Sequence, residues 1–181
     1  MLDPVFLLTK KEYGELSKDV IIPEKKPYIL TYIINPSPKK NEYLRKLSDK
    51  LGMEIINILD AEPVRTEQNM TAFDIGIKKP KLSPEEFAAY FRDCDYVVTD
   101  SYHGTCFSVI FEKKFTAFVN RQSDRFRTFL EFEELKSRIL GTVPEEIPAE
   151  VMAEINYTPV NAKLEKMRDD SIAYLRKALK L

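Results

Sequence analysis

The sequence predicts an α/β fold: a Rossmann-like three-layer sandwich around a mainly parallel sheet. Three observations carry that expectation. Short apolar, β-branched runs alternate with stretches of helical periodicity. The run at 28–34, YILTYII, is apolar on both faces, as in a central strand covered by helices on each side. At 96–111, YVVTDSYHGTCFSVIF, a strand-like run stops at Asp100 and Ser101 and a helical pattern follows at once, with Phe107, Ile110 and Phe111 at helix spacing.

The elements follow in order. Thr9-Lys10-Lys11-Glu12 has the form of a capping box, so a short helix runs to about residue 18. Pro23 and Pro27 punctuate the approach to the strand at 28–34. Ser37 then caps a helix with Pro38 at its first position. That helix turns Leu44, Leu47 and Leu51 inward and Lys39, Lys40, Arg45 and Lys46 outward, and Gly52 ends it. Residues 53–59 form the second strand, closing a β–α–β unit with an expected right-handed crossover. The stretch 60–82 is the least regular part and reads as a long loop with a weak strand at 73–77. It leaves the carboxyl end of a strand, so it reads either as a flap on the ligand side or as an edge strand with solvated connections.

Ser83-Pro84-Glu85-Glu86 is a stronger helix start: a cap, a proline at the first position and a glutamate at the third. Phe87, Ala88, Phe91 and Cys94 form its buried stripe. The strand at 96–99, the turn, the motif helix and a strand at 115–119 come next. Asn120 and Arg121 fall at another carboxyl-end turn, and Asp124, Arg125 and Arg127 start a further helix. Residues 141–160 read as a proline-containing, acidic linker. Residues 161–179 form the longest helix, with Leu164, Met167, Ser171, Leu175 and Ala178 along one stripe. No internal repeat or low-complexity tract interrupts the chain. Its 181 residues suit a single domain with a real core.

Composition narrows the function. The 28 basic and 29 acidic side chains give a net charge of −1, without the basic excess a general nucleic-acid binder needs. No apolar run approaches the roughly 20 residues of a membrane span, and no signal-peptide pattern opens the sequence. Cys94 and Cys106 belong to no C-x-x-C pair, and His103 is the one histidine, so no metal site is expected. The two cysteines read as small buried hydrophobes in a reducing, cytoplasmic setting. Glycine-rich dinucleotide and P-loop fingerprints are absent, which argues against NAD and P-loop nucleotides.

Candidate chemistry gathers at 100–105. The first turn of a helix carries N–H groups without intrahelical partners and the positive end of the dipole, a ready anion site. Gly104 would let an anion approach the backbone, and Ser101 and Thr105 add hydroxyls. His103 suits general acid work or hydrogen bonding to a leaving phosphate. Arg121 or Arg125 would fork onto a carboxylate or phosphate.

The segment resembles the signature of the polysaccharide pyruvyl transferase family, in which an acidic residue, Ser, an aromatic, His and Gly follow a short apolar strand. The likeness extends to DPVFLLTKKEYGEL near the start, to SPEEFAAYFRDCDYVVTDSYHGTCFSVIFEKKFTAF, and to NRQSDRFRTFLEFEEL, about residues 3–140 in all. These are two-domain enzymes with a GT-B-like architecture, and this chain resembles only their C-terminal half. The resemblance implies transfer of pyruvate from phosphoenolpyruvate, a donor substrate rather than a cofactor, onto two hydroxyls of a sugar or lipid-linked saccharide as a ketal. It implies His103 and Asp100 as catalytic residues, with Asp100 orienting the turn or His103, or acting as base toward the acceptor. Ser101, Gly104, Thr105, Arg121 and Arg125 are then substrate-binding. It implies a missing N-terminal domain as partner, an inactive isolated half, and a role in cell-envelope polysaccharide synthesis in the cytoplasm or at the inner membrane face. The last helix would pack back across the domain junction. Two other readings stand beside it: a GT-B nucleotide-sugar glycosyltransferase domain, and a non-catalytic phosphate-binding or interaction module.

Overall fold

The apolar runs line up edge to edge: Leu30 of the first strand faces Ile56 on one side and Val97 on the other. The computed structural model describes residues 2–24, 27–119 and 124–180. Among these, six strands form one all-parallel sheet: β1 (Tyr28–Tyr32), β2 (Glu54–Ile58), β3 (Ile77–Lys79), β4 (Tyr96–Thr99), β5 (Lys114–Phe118) and β6 (Ile139–Leu140). Their spatial order is β3-β2-β1-β4-β5-β6. This is the doubly wound order, and it reverses direction between β1 and β4, where such sheets open a ligand crevice.

Eight α-helices accompany the sheet among the described residues: α1 (Lys10–Leu16), α2 (Pro38–Leu51), α3 (Pro63–Ala72), α4 (Pro84–Asp93), α5 (Tyr102–Ile110), α6 (Asp124–Leu130), α7 (Ala149–Met152) and α8 (Tyr157–Leu179). Side chains alternate across each strand, so the sheet supports two cores. Tyr28, Leu30, Val97 and Phe115 pack with Tyr13, Phe91, Cys106, Val109, Phe129 and Leu164 from the helices of one layer. Ile29, Ile33, Ile55, Tyr96 and Val98 pack with Tyr43, Leu44, Leu47 and Val151 of the other. The three-layer expectation holds, and the sheet is wholly parallel.

The caps act as the sequence implies. Thr9 and Ser83 make full capping boxes, and Ser37 accepts from the Lys40 N–H with Pro38 at the first position. Gly52 ends α2 at φ 65°, the left-handed conformation glycine adopts without a side-chain clash.

Two expectations change. The stretch 60–82, read as a loop, contains α3 and β3, and the strand lies at Ile77–Lys79 rather than at 73–77. Its helix start escaped notice because Glu62, not Ser or Asp, caps it, accepting from the Val64 and Arg65 N–H groups ahead of Pro63. The linker at 141–160 contains α7, and α8 begins at Tyr157. Pro159, within the expected linker, falls in the first turn of α8, where proline is tolerated because its missing N–H has no partner to lose. Arg138 explains the order of this segment. Its buried guanidinium donates to the carbonyls of Val151 and Ala153, and Tyr96 Oη also donates to Val151 O at 2.9 Å.

Candidate functional site

The site grows from the end of β4. Thr99 Oγ1 donates to Tyr32 O at 2.5 Å and accepts from Ser101 N at 3.0 Å, which pins the turn to β1. α5 follows directly, and it starts unlike α1, α2 and α4: Ser101 occupies the cap position but makes no side-chain cap hydrogen bond. Its carbonyl accepts from both the N–H and the hydroxyl of Thr105, each at 3.0 Å.

His103 stands on the first turn with its imidazole 51% exposed, and Nε2 lies 4.0 Å from Asp3 Oδ1. The neighbouring Tyr102 ring meets the imidazole edge at 5.6 Å and packs against Phe126 and Phe129 of α6 at 5.5 and 5.6 Å. The imidazole therefore rests on an aromatic base and faces outward, at the carboxyl edge of the sheet.

Two sequence expectations need correction here. Gly104 is not an opening for an anion. It is buried, and a Cβ there would fall 2.2 Å from Thr99 Oγ1. The glycine lets α5 sit directly on β4. Thr105 is fully buried with its hydroxyl committed to Ser101 O, so it presents no donor outward. Asp100 faces inward, in the place that its turn-orienting alternative describes. Its carboxylate is 5% exposed, accepts from Ile34 N at 2.6 Å and Asn35 N at 3.0 Å, and pairs with Lys40 Nζ at 2.7 Å. It ties the β4–α5 turn to the β1–α2 turn. Ser101 stays at the site, nearly buried. Arg121 lies outside the described residues, and so does the side chain of Arg125.

Sequence reading missed Asp3. Asp3 caps the 3₁₀ turn Pro4–Leu7, accepting from Val5 N at 3.1 Å. The chain on both sides of it is fastened: Leu2 N donates to Ser171 Oγ at 3.0 Å, Tyr13 Oη to Val5 O at 3.0 Å, and Arg168 Nε to Phe6 O at 2.8 Å. The signal was present as Asp3-Pro4, a cap followed by a first-position proline, but nothing local connected it to His103.

Among the described residues no group of three or more His, Cys, Asp or Glu side chains is placed to hold a metal ion. Cys94 and Cys106 are buried and form no disulfide, and burial pushes the Cys94 thiol up to about 12. No described helix is long and apolar enough to cross a membrane. A surface groove of about 490 Å³ along α8, lined by Leu2, Met167, Asp170, Ser171 and Tyr174, includes none of the expected site residues.

The family model described as polysaccharide pyruvyl transferase matches residues 1–122. No curated protein matches the chain. Among solved structures, it is similar to a Listeria monocytogenes protein described as a UDP-N-acetylglucosamine 2-epimerase. The identity is 18% and the TM-score 0.46, over 67% of this chain and 36% of that one. The chain thus spans little more than a third of that protein's length.

Proposed function

The chain belongs to the polysaccharide pyruvyl transferase family, and on that premise we propose that it is the phosphoenolpyruvate-handling half of a ketal-forming pyruvyl transferase. One observation supports the reading above all: the exposed His103 imidazole at the uncapped start of α5, at the carboxyl edge of a doubly wound sheet. A helix start without a side-chain cap keeps its donors for a ligand, and its dipole favours an anion.

The reaction needs three things. The methylene carbon of phosphoenolpyruvate takes a proton, and C2 becomes oxocarbenium-like. One sugar hydroxyl adds at C2 and loses its proton. The C2–O bond to phosphate then breaks, and a second hydroxyl closes the ketal. Two hydroxyl protons leave, one equivalent goes to the methylene and one to phosphate, so protons balance. In this scheme His103 is the proton donor to the methylene or the hydrogen-bond donor to departing phosphate. Asp3, 4.0 Å away, orients the imidazole. Ser101 and the first-turn N–H groups receive phosphate, and Arg121 and Arg125 remain candidates for the carboxylate. Asp100 positions the turn. The saccharide acceptor and the opposite wall of the cleft come with a second domain, so this chain alone holds the donor without turnover. The protein works in the cytoplasm or at the inner membrane face, where phosphoenolpyruvate and lipid-linked saccharides meet.

The test uses the single imidazole as reporter. Phosphoenolpyruvate titrated into the chain should move the His103 Hε1 resonance saturably, while UDP-sugars should not. Saturable movement with a UDP-sugar alone would favour the nucleotide-sugar alternative. No movement with either would remove His103 from the donor site.

A further inference from the structure

In a doubly wound sheet the crevice between the first strands of the two halves receives the phosphates of the ligand. Here that crevice lies between β1 and β4, and a side chain of the protein already fills it. The Ile34 and Asn35 N–H groups, just past the end of β1, both donate to the Asp100 carboxylate, at 2.6 and 3.0 Å. Lys40 of α2 completes the shell at 2.7 Å and also donates to Asn35 O at 2.7 Å. Two backbone donors and an ammonium converging on two oxygens is the donor set of an anion nest. The occupant is 5% exposed and its lysine 14% exposed, so this is a built interior site rather than a surface pair.

We propose that Asp100 is the internal ligand of this crevice and the specificity determinant that keeps nucleotide phosphates out of it. The carboxylate satisfies the donors that a diphosphate would otherwise take. A phosphate entering beside it would meet a fixed negative charge at contact distance. That leaves the start of α5, which follows Asp100 directly in the chain, as the place for a substrate anion. This inference stands whether or not phosphoenolpyruvate is the donor, because it concerns the neighbouring crevice.

Emptying the nest tests it. Asp100→Ala removes the anion, leaves the Ile34 and Asn35 N–H groups without their acceptor and Lys40 with Asn35 O but no counter-charge, and Tm should fall by roughly 6–12 °C. Acetate at about 100 mM should refill the nest and restore at least half of that loss, following mass action. Chloride at equal ionic strength should not, and the wild-type Tm should not respond to acetate. Adding Lys40→Met to Asp100→Ala should abolish the rescue. Equal responses of variant and wild type to acetate, or equal rescue by chloride, would overturn the proposal. Should Asp100→Ala fail to fold, Asp100→Asn keeps the shape and loses the charge. Its Ile34 and Asn35 amide protons should shift upfield, and unmoved resonances would overturn the assignment equally.

Discussion

The turn from β1 to α2 and the turn from β4 to α5 leave neighbouring strands at the same edge of the sheet, yet they are finished in opposite ways. In the first, Ser37 caps the helix, Pro38 occupies its first position, and the Ile34 and Asn35 N–H groups are taken up by Asp100. In the second, Ser101 leaves α5 without a side-chain cap, and the exposed residue of its first turn is the histidine. Backbone donors in a folded protein must find partners somewhere. A turn whose donors other loops of the protein take up is architecture, and a helix start without a side-chain cap is where a ligand has something to offer. The difference explains why Asp100 and His103, three positions apart in one motif, have opposite surroundings, one enclosed and one exposed.

Several changes would break or sharpen this contrast. The largest effect is expected from His103→Gln, which should lower phosphate release from phosphoenolpyruvate by the complete enzyme by about 100-fold or more. An exposed side chain contributes little to stability, so its Tm should stay within about 2 °C of wild type. A large loss of Tm would place the imidazole on the architectural side. Gly104→Ala should cost about 2 kcal/mol in urea unfolding, since the new methyl meets a Thr99 hydroxyl held by two hydrogen bonds.

Asp3→Asn comes next. It should reduce kcat by about 10-fold with KM for phosphoenolpyruvate changed less than about twofold, because an oriented acid gains rate rather than affinity. Combined with His103→Gln it should cost nothing more, as expected for a residue acting through the imidazole. Additive losses would mean that Asp3 only holds the 3₁₀ turn. Ser37→Ala and Ser83→Ala should each cost about 1 kcal/mol, whereas Ser101→Ala should cost under about 0.5 kcal/mol. Equal costs at all three would erase the contrast between the turns.

The smallest effect concerns Glu24. Burial opposes its charge, but hydrogen bonds from Lys79 and Tyr90 outweigh burial and hold the carboxyl below its ordinary value. A carboxyl depressed in the folded state stabilises the fold above its unfolded value of about 4.3, and that stability is lost as pH falls through the folded value. Glu24→Gln should flatten the acid limb of a Tm-against-pH curve without moving its neutral plateau by more than the loss of one ion pair.

Much of this molecule was determined by its local sequence. The apolar runs, the caps at Thr9, Ser37 and Ser83, and Gly52 are short-range signals, because helix starts, helix ends and strand burial each depend on a few adjacent residues. They were enough to place α2, β2, α4 and the β4–α5 junction, and the family resemblance fell on the same residues. Weak local signals failed: Glu62 as a cap hid α3, and the expected linker took in Pro159, which lies in the first turn of α8.

Only the tertiary structure decided what the motif residues meet. Gly104 reads as a glycine open to ligand until Thr99 is seen beneath it. Asp100 reads as a catalytic carboxylate until Lys40 and two N–H groups from another loop close around it. Asp3 draws no notice in the sequence until the 3₁₀ turn it caps places it 4.0 Å from His103. Each of these roles depends on a contact between segments distant in the chain. Side-chain chemistry says what a residue is able to do, and the neighbours that folding supplies leave it one role.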